Sequence, residues 1–90
     1  MVPIFLDSAG KHGYTREEAE HAIEHAVGYG QISSRYPNEI NHIFIGPPGP
    51  YQTRLIEVFV AVSADAVQAK IFHVMDLRPK YRYLLPQQYQ

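Results

Sequence analysis

The stretch RLIEVFVAVS, residues 54–63, is the most strongly β-like part of the chain. Successive side chains of a β-strand point to opposite faces, so Ile56, Val58, Val60 and Val62 would share one face. Branched side chains of this kind favour strands. An apolar face of this length has to be covered, so the pattern requires neighbouring strands and a helix that packs on the sheet.

A helix start signal precedes this strand. Thr15-Arg16-Glu17-Glu18 reads as a capping box, with Thr15 as the N-cap and Glu18 reaching back from the third helical position. Apolar side chains then recur at helical spacing. They are Ala19, Ala22, Ile23, Ala26 and Val27, and Gly28 and Gly30 follow. The pattern predicts one amphipathic helix over about 16–27.

Further segments complete a predicted sheet. Residues 39–46 predict a strand with Ile43 and Ile45 on one face, and residues 30–35 predict a weaker strand. Residues 68–77 predict another strand, with Phe72 and Val74 on one face. Its other face would carry Ile71, His73, Met75 and Leu77.

The predicted fold class is therefore α+β, with one capped helix on a three- to four-stranded antiparallel sheet. After Pro79 a short helix is expected through Leu85. Ninety residues suffice for one core. We expect a single domain over 1–85 and a polar tail over 86–90.

Composition narrows the classes of function. Cysteine is absent, which excludes disulfides, thiolate ligands and a thiol nucleophile and fits a reducing compartment. The start MVPIFLDSAGK has neither a basic region nor an apolar run of the length of a signal peptide or membrane span. We therefore expect a cytoplasmic protein with no membrane partner. Positive charge is concentrated late in the chain, where Arg78, Lys80 and Arg82 have no acidic neighbour after Asp76.

A possible metal motif lies in the predicted helix. His21, Glu24 and His25 form H-x-x-E-H, a signature of some zinc peptidases. Such a site needs a distant third ligand, for which Glu39 or Glu57 would have to serve, and a cleft between sizeable lobes that a 90-residue chain lacks. The same residues are explained by the polar face of a capped helix, so no metal and no cofactor are predicted.

Four segments together carry a resemblance to a known family. They read SAGKHGYTREEAEHAI, IFIGP, RLIEVFVAV and IFHVMDLRPKYRYLL, and they span about residues 7–85. In this order they resemble the BrnT-type ribonuclease toxins of bacterial type II toxin–antitoxin pairs, in particular a set of small actinobacterial relatives. The most specific piece is Lys11-His12-Gly13 before the capped helix. Where the family has a serine-and-arginine run after the last strand, this chain has MDLR at residues 75–78.

The resemblance implies a RelE-like fold that cuts RNA without a metal, inhibits growth and is neutralised by a cognate antitoxin. RNA supplies its own nucleophile, the 2′-hydroxyl, so the protein needs a base, an acid and cations that stabilise the charged phosphorane. The expected catalytic residues are His12, His73, Lys11 and Arg54. The expected RNA-binding residues are Arg78, Lys80, Tyr81 and Arg82. The expected partners are RNA, either free or as mRNA on the ribosome, and the antitoxin.

Other interpretations of these residues stay open at this stage. Lys11 and His12 fit ordinary loop positions, and Arg54 and Lys80 fit a solvated surface. His73 fits a hydrogen-bonded core histidine as well as an acid or base. A catalytically silent module of the same fold that acts only through a protein partner is the alternative function. A metal-dependent hydrolase that uses His21, Glu24 and His25 is the third.

Overall fold

The computed structural model describes residues 3–90. Residues 1 and 2, which belong to the predicted domain and to the N-terminal stretch that was searched for a signal peptide, lie outside the described residues. The strands are β1 (Ile4–Phe5), β2 (Gly28–Ile32), β3 (Glu39–Gly46), β4 (Ile56–Ser63) and β5 (Ala69–Asp76). The one α-helix of the described residues, α1, runs over Arg16–Glu24. Short 3₁₀ helices cover Asp7–Gly10, Pro79–Leu84 and Gln87–Tyr89.

The sheet has five strands in the order β1-β5-β4-β3-β2. The four long strands pair antiparallel, whereas β1 pairs parallel with β5 through Ile4–Lys70 and Phe5–Ile71. The α+β class is thus confirmed, but the predicted three- to four-stranded antiparallel sheet is wrong, because the sheet is larger and mixed. A two-residue strand that pairs with residues almost the whole chain away leaves no local sequence pattern.

One side of the sheet, which we call the helix face, packs against α1 and the 3₁₀ helix over Asp7–Gly10. The capping box of Thr15 and Glu18 is present at the start of α1. The predicted apolar face of β4 lies here and is buried at Ile56, Val58 and Val60. Ala19 and Ala22 of α1 are fully buried against it, so the small side chains let the helix lie close to the sheet.

The opposite side, which we call the C-terminal face, is covered by residues 77–85, here the C-terminal segment. Its apolar core contains Ile43, Ile45 and Phe59, with Leu85 buried against them. The predicted short helix in this segment is a six-residue 3₁₀ helix over Pro79–Leu84. The sheet is therefore the middle layer of three, and β4 is buried on both faces along most of its length.

A β-bulge changes which side chains of β5 share a face. Phe59 pairs with His73 and Val60 with Ile71, so Phe72 is an extra residue in β5. Ile71 and Val74 lie in the core of the helix face, while Phe72 packs on the C-terminal face. The predicted division, with Phe72 beside Val74 and His73 beside Ile71, is wrong because an inserted residue reverses the alternation from that point.

Two smaller predictions, the end of the helix and the position of the weak strand, also need correction. The helix ends at Glu24 rather than at about 27, and Ala26 is exposed instead of completing the apolar stripe. The weak strand lies at Gly28–Ile32, earlier than the predicted 30–35. The predicted tail over 86–90 contains a 3₁₀ turn whose Tyr89 carbonyl accepts a hydrogen bond from Arg82.

Gly46 is expected to be intolerant of a side chain, because α1 crosses β3 directly over it. A Cβ at Gly46 would lie 3.0 Å from the backbone C and Cα of Ala22, and closer still to its carbonyl oxygen. We expect Gly46→Ala to lower the free energy of unfolding by about 1–3 kcal/mol, the usual cost of overpacking. Urea unfolding followed by circular dichroism measures it. Gly49→Ala is the control, since its Cβ would meet only the Gln52 side chain, at 3.6 Å; equal stability of the two variants would contradict this packing.

Candidate functional site

A buried carboxylate lies at the centre of the C-terminal face. The side chain of Glu57, in β4, is fully buried between the sheet and the C-terminal segment. Its Oε1 accepts a hydrogen bond from the backbone N–H of Arg78 at 2.9 Å. Its Oε2 accepts from Nε of Arg78 at 2.9 Å, from the NH2 group of the same guanidinium, and from Nε2 of His73 at 3.0 Å. Glu57 therefore joins β4, β5 and the C-terminal segment.

These contacts keep Glu57 ionised. Burial alone raises the pKa of a carboxyl group, but the hydrogen bonds from His73 and Arg78 outweigh it and hold the pKa of Glu57 below its usual range. The same hydrogen bonds raise the pKa of Arg78 above its already high value. Glu57 and Arg78 thus form an ion pair in which the carboxylate is fully buried and the Arg78 side chain is 33% exposed.

The ionised carboxylate determines the tautomer of His73. A carboxylate only accepts hydrogen bonds, so the 3.0 Å contact to Glu57 requires a proton on Nε2 of His73. The NH2 group of Arg78 lies farther from the same nitrogen, at 3.3 Å, and is then a neighbouring donor rather than a hydrogen-bond partner. In the neutral ring this leaves Nδ1 with the free lone pair. The His73 side chain is 18% exposed and packs against Phe59, whose ring is tilted by 49° with its centroid 4.5 Å away. The geometry therefore gives an oriented histidine, and its Nδ1 carries the lone pair that could act as a base.

A second histidine contacts the first. The ring centroids of His12 and His73 are 5.8 Å apart in an edge-to-face arrangement. His12 is exposed and lies in the turn that follows the first 3₁₀ helix. The next residue, Gly13, has a φ of +90°, a value that side chains rarely allow, and its N–H bonds to the carbonyl of Gly10 at 3.0 Å. The glycine of Lys11-His12-Gly13 thus shapes the turn that brings His12 to β5.

Three of the expected RNA-binding residues adjoin this cluster. The guanidinium of Arg78 lies 5.3 Å from the ring centroid of Tyr81, and the ammonium of Lys80 lies 5.1 Å from it. Tyr81 in turn packs on Phe59 at 5.5 Å between centroids. The guanidinium of Arg78, however, is already paired with the carboxylate of Glu57. Next to Tyr81, the exposed ammonium of Lys80 is therefore the positive charge that could bind a phosphate.

Arg54, Arg82 and Lys11 are placed differently. The guanidinium of Arg54 stacks on Tyr14 at 5.6 Å, and Tyr14 donates a hydrogen bond to Asp76. Arg54 and Arg82 line one open cleft beside Asp76, away from the ring of His73. Lys11 is exposed and forms no ion pair within residues 3–90. The structure therefore assembles His12, His73, Arg78, Lys80 and Tyr81, and leaves Arg54 and Arg82 in a separate cleft.

The histidines of the metal motif are engaged with each other and with the backbone. The rings of His21 and His25 stack with centroids 4.3 Å apart, and Nδ1 of His21 donates to the carbonyl of Pro47 at 2.8 Å. His21 on the polar face of α1 is thus half-buried, whereas His25 is exposed. No group of three or more His, Asp or Glu side chains in residues 3–90 is placed to hold a metal ion.

The sequence did not predict Glu57 as part of this site, and named it only as a possible third ligand of the metal motif. Its signal was present: it is the one charged side chain in the apolar run over residues 55–62. A charged residue is also expected in a strand that has one face exposed to solvent. Glu57 therefore indicates a buried site only once the C-terminal segment is known to cover the second face of the sheet.

The helices of residues 3–90 are all short, and none has the length and apolar character needed to cross a membrane. Comparison of the chain with protein-family models, with curated proteins and with solved structures returns no match.

Proposed function

We propose that the protein is a metal-independent endoribonuclease in which His12 and His73 are the acid–base pair. The observation that carries this proposal is the contact between the two rings, with the inner ring fixed by a fully buried carboxylate. Two histidines in contact can supply what RNA cleavage needs, one group that takes a proton and one that returns it.

The proposed steps follow from the tautomer. Nδ1 of His73 removes the proton of the 2′-hydroxyl, whose oxygen attacks the adjacent phosphorus. The bond from phosphorus to the 5′-oxygen breaks, and protonated His12 delivers a proton to that oxygen. The products are a 2′,3′-cyclic phosphate and a 5′-hydroxyl. Lys80, on the exposed side of Tyr81, offsets the charge that develops on the phosphorane.

This chemistry agrees with the resemblance to BrnT-type toxins, and we extend the proposal to that class. The protein would then have a RelE-like fold, act in the cytoplasm on RNA, and be silenced by an antitoxin that covers the two histidines. Acidic side chains of the antitoxin would meet Lys80 and Lys11, which have no acidic partner within residues 3–90.

A non-catalytic binding module is the second candidate. The observation in its favour is that the hydrogen bonds of Arg78 and His73 to Glu57 can be explained by structure alone, because they hold the C-terminal segment on the sheet. In that case Glu57 and its partners only stabilise the fold, and the exposed side chains around them contact a protein.

The test is incubation of the purified protein with a labelled single-stranded RNA, with and without EDTA, and with ribosomes added in a parallel series. We expect cleavage that EDTA leaves unchanged and that yields 2′,3′-cyclic phosphate ends. A substrate of the same sequence with 2′-O-methyl groups is the control, and it should remain intact because it lacks the nucleophile. Absence of cleavage in every series would favour the binding module, and cleavage abolished by EDTA would favour a metal-dependent hydrolase.

A further inference from the structure

An open cleft lies on the C-terminal face, and Phe72, the chain neighbour of His73, is one of its lining residues. It is lined by residues 33–36 of the β2–β3 loop together with Glu39, Asn41, Ala61 and Phe72, and it has a volume of about 410 Å³. A second cleft of about 380 Å³ shares four of these residues and adds Leu6 and Lys70. None of the residues that line either cleft belongs to the C-terminal segment, so the two form one groove that the segment leaves open.

The β-bulge connects this groove to the histidine pair. Because Phe72 is the extra residue of the bulge, the side chains of Phe72 and His73 both lie on the C-terminal face although the two residues are adjacent in the chain. Phe72 lines the groove, and His73 contacts His12 and Glu57. A nucleotide in the groove would therefore contact Phe72, the chain neighbour of the histidine that acts as the base in the proposed mechanism.

The walls of the groove suit a flat aromatic ligand. Tyr36 is 59% exposed, and Phe72 adds a half-buried ring to the same lining. Ala61, which also lines the groove, has a small side chain. Unpaired nucleobases are held by stacking on such aromatic side chains, at about 1–3 kcal/mol per base.

Glu39 restricts which base the groove accepts. An ionised carboxylate only accepts hydrogen bonds, and among the four bases only guanine has two adjacent N–H donors, N1 and N2, on its Watson–Crick edge. Glu39 lies 3.7 Å from the ammonium of Lys70, a weak and partly exposed pair that leaves lone pairs of the carboxylate free. Arg35 is exposed, forms no ion pair within residues 3–90, and can take the phosphate.

We propose that the groove binds a guanine base of the RNA substrate beside the cleaved phosphate, and that Glu39 determines this specificity. The inference rests on the proposed ribonuclease function. It adds a substrate preference, with Tyr36 and Phe72 stacking on the base and Glu39 reading its edge.

The test measures binding separately from cleavage. The purified protein is titrated with GMP, AMP, CMP and UMP while amide chemical shifts are followed by NMR. We expect GMP to bind at least about tenfold more tightly than the other three, with shifts around residues 33–41 and 72. Glu39→Gln should weaken GMP binding by about 10–100-fold, the effect of losing one or two hydrogen bonds to a charged group. Glu24→Gln, at an exposed helix position, should bind GMP like the parent.

The outcomes separate the two proposals. Equal binding of the four nucleotides, or a GMP affinity unaffected by Glu39→Gln in a variant whose spectrum shows the native fold, would overturn the guanine site. Selective GMP binding without any cleavage of RNA would support the site and count against the ribonuclease. Cleavage of RNA with no preference for positions next to guanine would leave the ribonuclease standing and overturn the site.

Discussion

Replacement of Glu57 by alanine is expected to lower the free energy of unfolding by about 3 kcal/mol. Loss of one partner of a buried ion pair costs about 3–5 kcal/mol, because the other charge stays behind without compensation. The lower end applies here, since the Arg78 side chain is 33% exposed and can turn towards water. The backbone N–H of Arg78 and Nε2 of His73 also lose their acceptor.

Chemical unfolding measures this loss as a shift of the midpoint in urea. Glu24→Ala is the matched control, because Glu24 is exposed and forms no ion pair within residues 3–90. Surface changes of this kind stay within about 0.5 kcal/mol. A Glu57→Ala protein that unfolds at the midpoint of the parent would show that the contacts of this carboxylate do not hold the C-terminal segment.

The same substitution should change the dependence of stability on acid. The pKa of Glu57 is lowered in the folded protein, so the stabilisation is complete above the ordinary glutamate value of about 4.3 and is lost as the pH falls through the lower folded value. The parent should therefore lose stability more steeply below about pH 4 than Glu57→Ala. Asp65, whose pKa is also lowered, mainly by Ser63, titrates in both proteins, so the difference between them reports Glu57. Parallel curves would contradict an ionised Glu57 that is stabilised by folding.

The elements that the sequence predicted best are those fixed by local chemistry. The capping box places the start of α1 because its hydrogen bonds join residues three apart. The strand over Glu39–Gly46 and the apolar face of β4 agree with their alternation because no inserted residue interrupts it. In both cases the determining contacts lie within one element or between adjacent side chains.

The errors come from contacts between distant parts of the chain. The two residues of β1 form a strand only because β5 offers an unpaired edge 66 residues later, at Lys70 for Ile4. The extra Phe72 follows from the register between β4 and β5, which neither strand specifies alone. Glu57 is buried because the C-terminal segment returns over the sheet.

The candidate site divides in the same way. The types of its residues were predictable, because RNA cleavage limits the choice to acid–base groups and cations. Their positions were not, since spacing could not show that the turn at Gly13 would bring His12 to His73. Arg54, chosen for its place at the start of a strand, instead contacts Tyr14 on the side of α1.

Alanine in place of His12 is the second prediction with a large expected effect. The loss of a general acid or base lowers a rate by about 10²–10⁴-fold, and we expect His12→Ala to lower the rate of RNA cleavage by that factor. His12 is exposed, so the substitution should leave the unfolding midpoint unchanged. The measurement is a single-turnover cleavage rate with labelled RNA, supported by the loss of growth inhibition in cells.

His73→Ala should reduce the rate by a similar factor, but it also removes a hydrogen bond to Glu57 and is expected to cost about 1.5–3 kcal/mol of stability. His12→Ala thus separates catalysis from folding, and His73→Ala is interpreted only where unfolding data show it to be native. His25→Ala is the control, since His25 is exposed and stacks on His21 instead of the pair. A folded His12→Ala protein that cleaves RNA at the rate of the parent would remove His12 from the mechanism. If a folded His73→Ala protein also kept full activity, the acid–base pair would be excluded, and the cleft of Arg54 and Arg82 would be the next place to look for the chemistry.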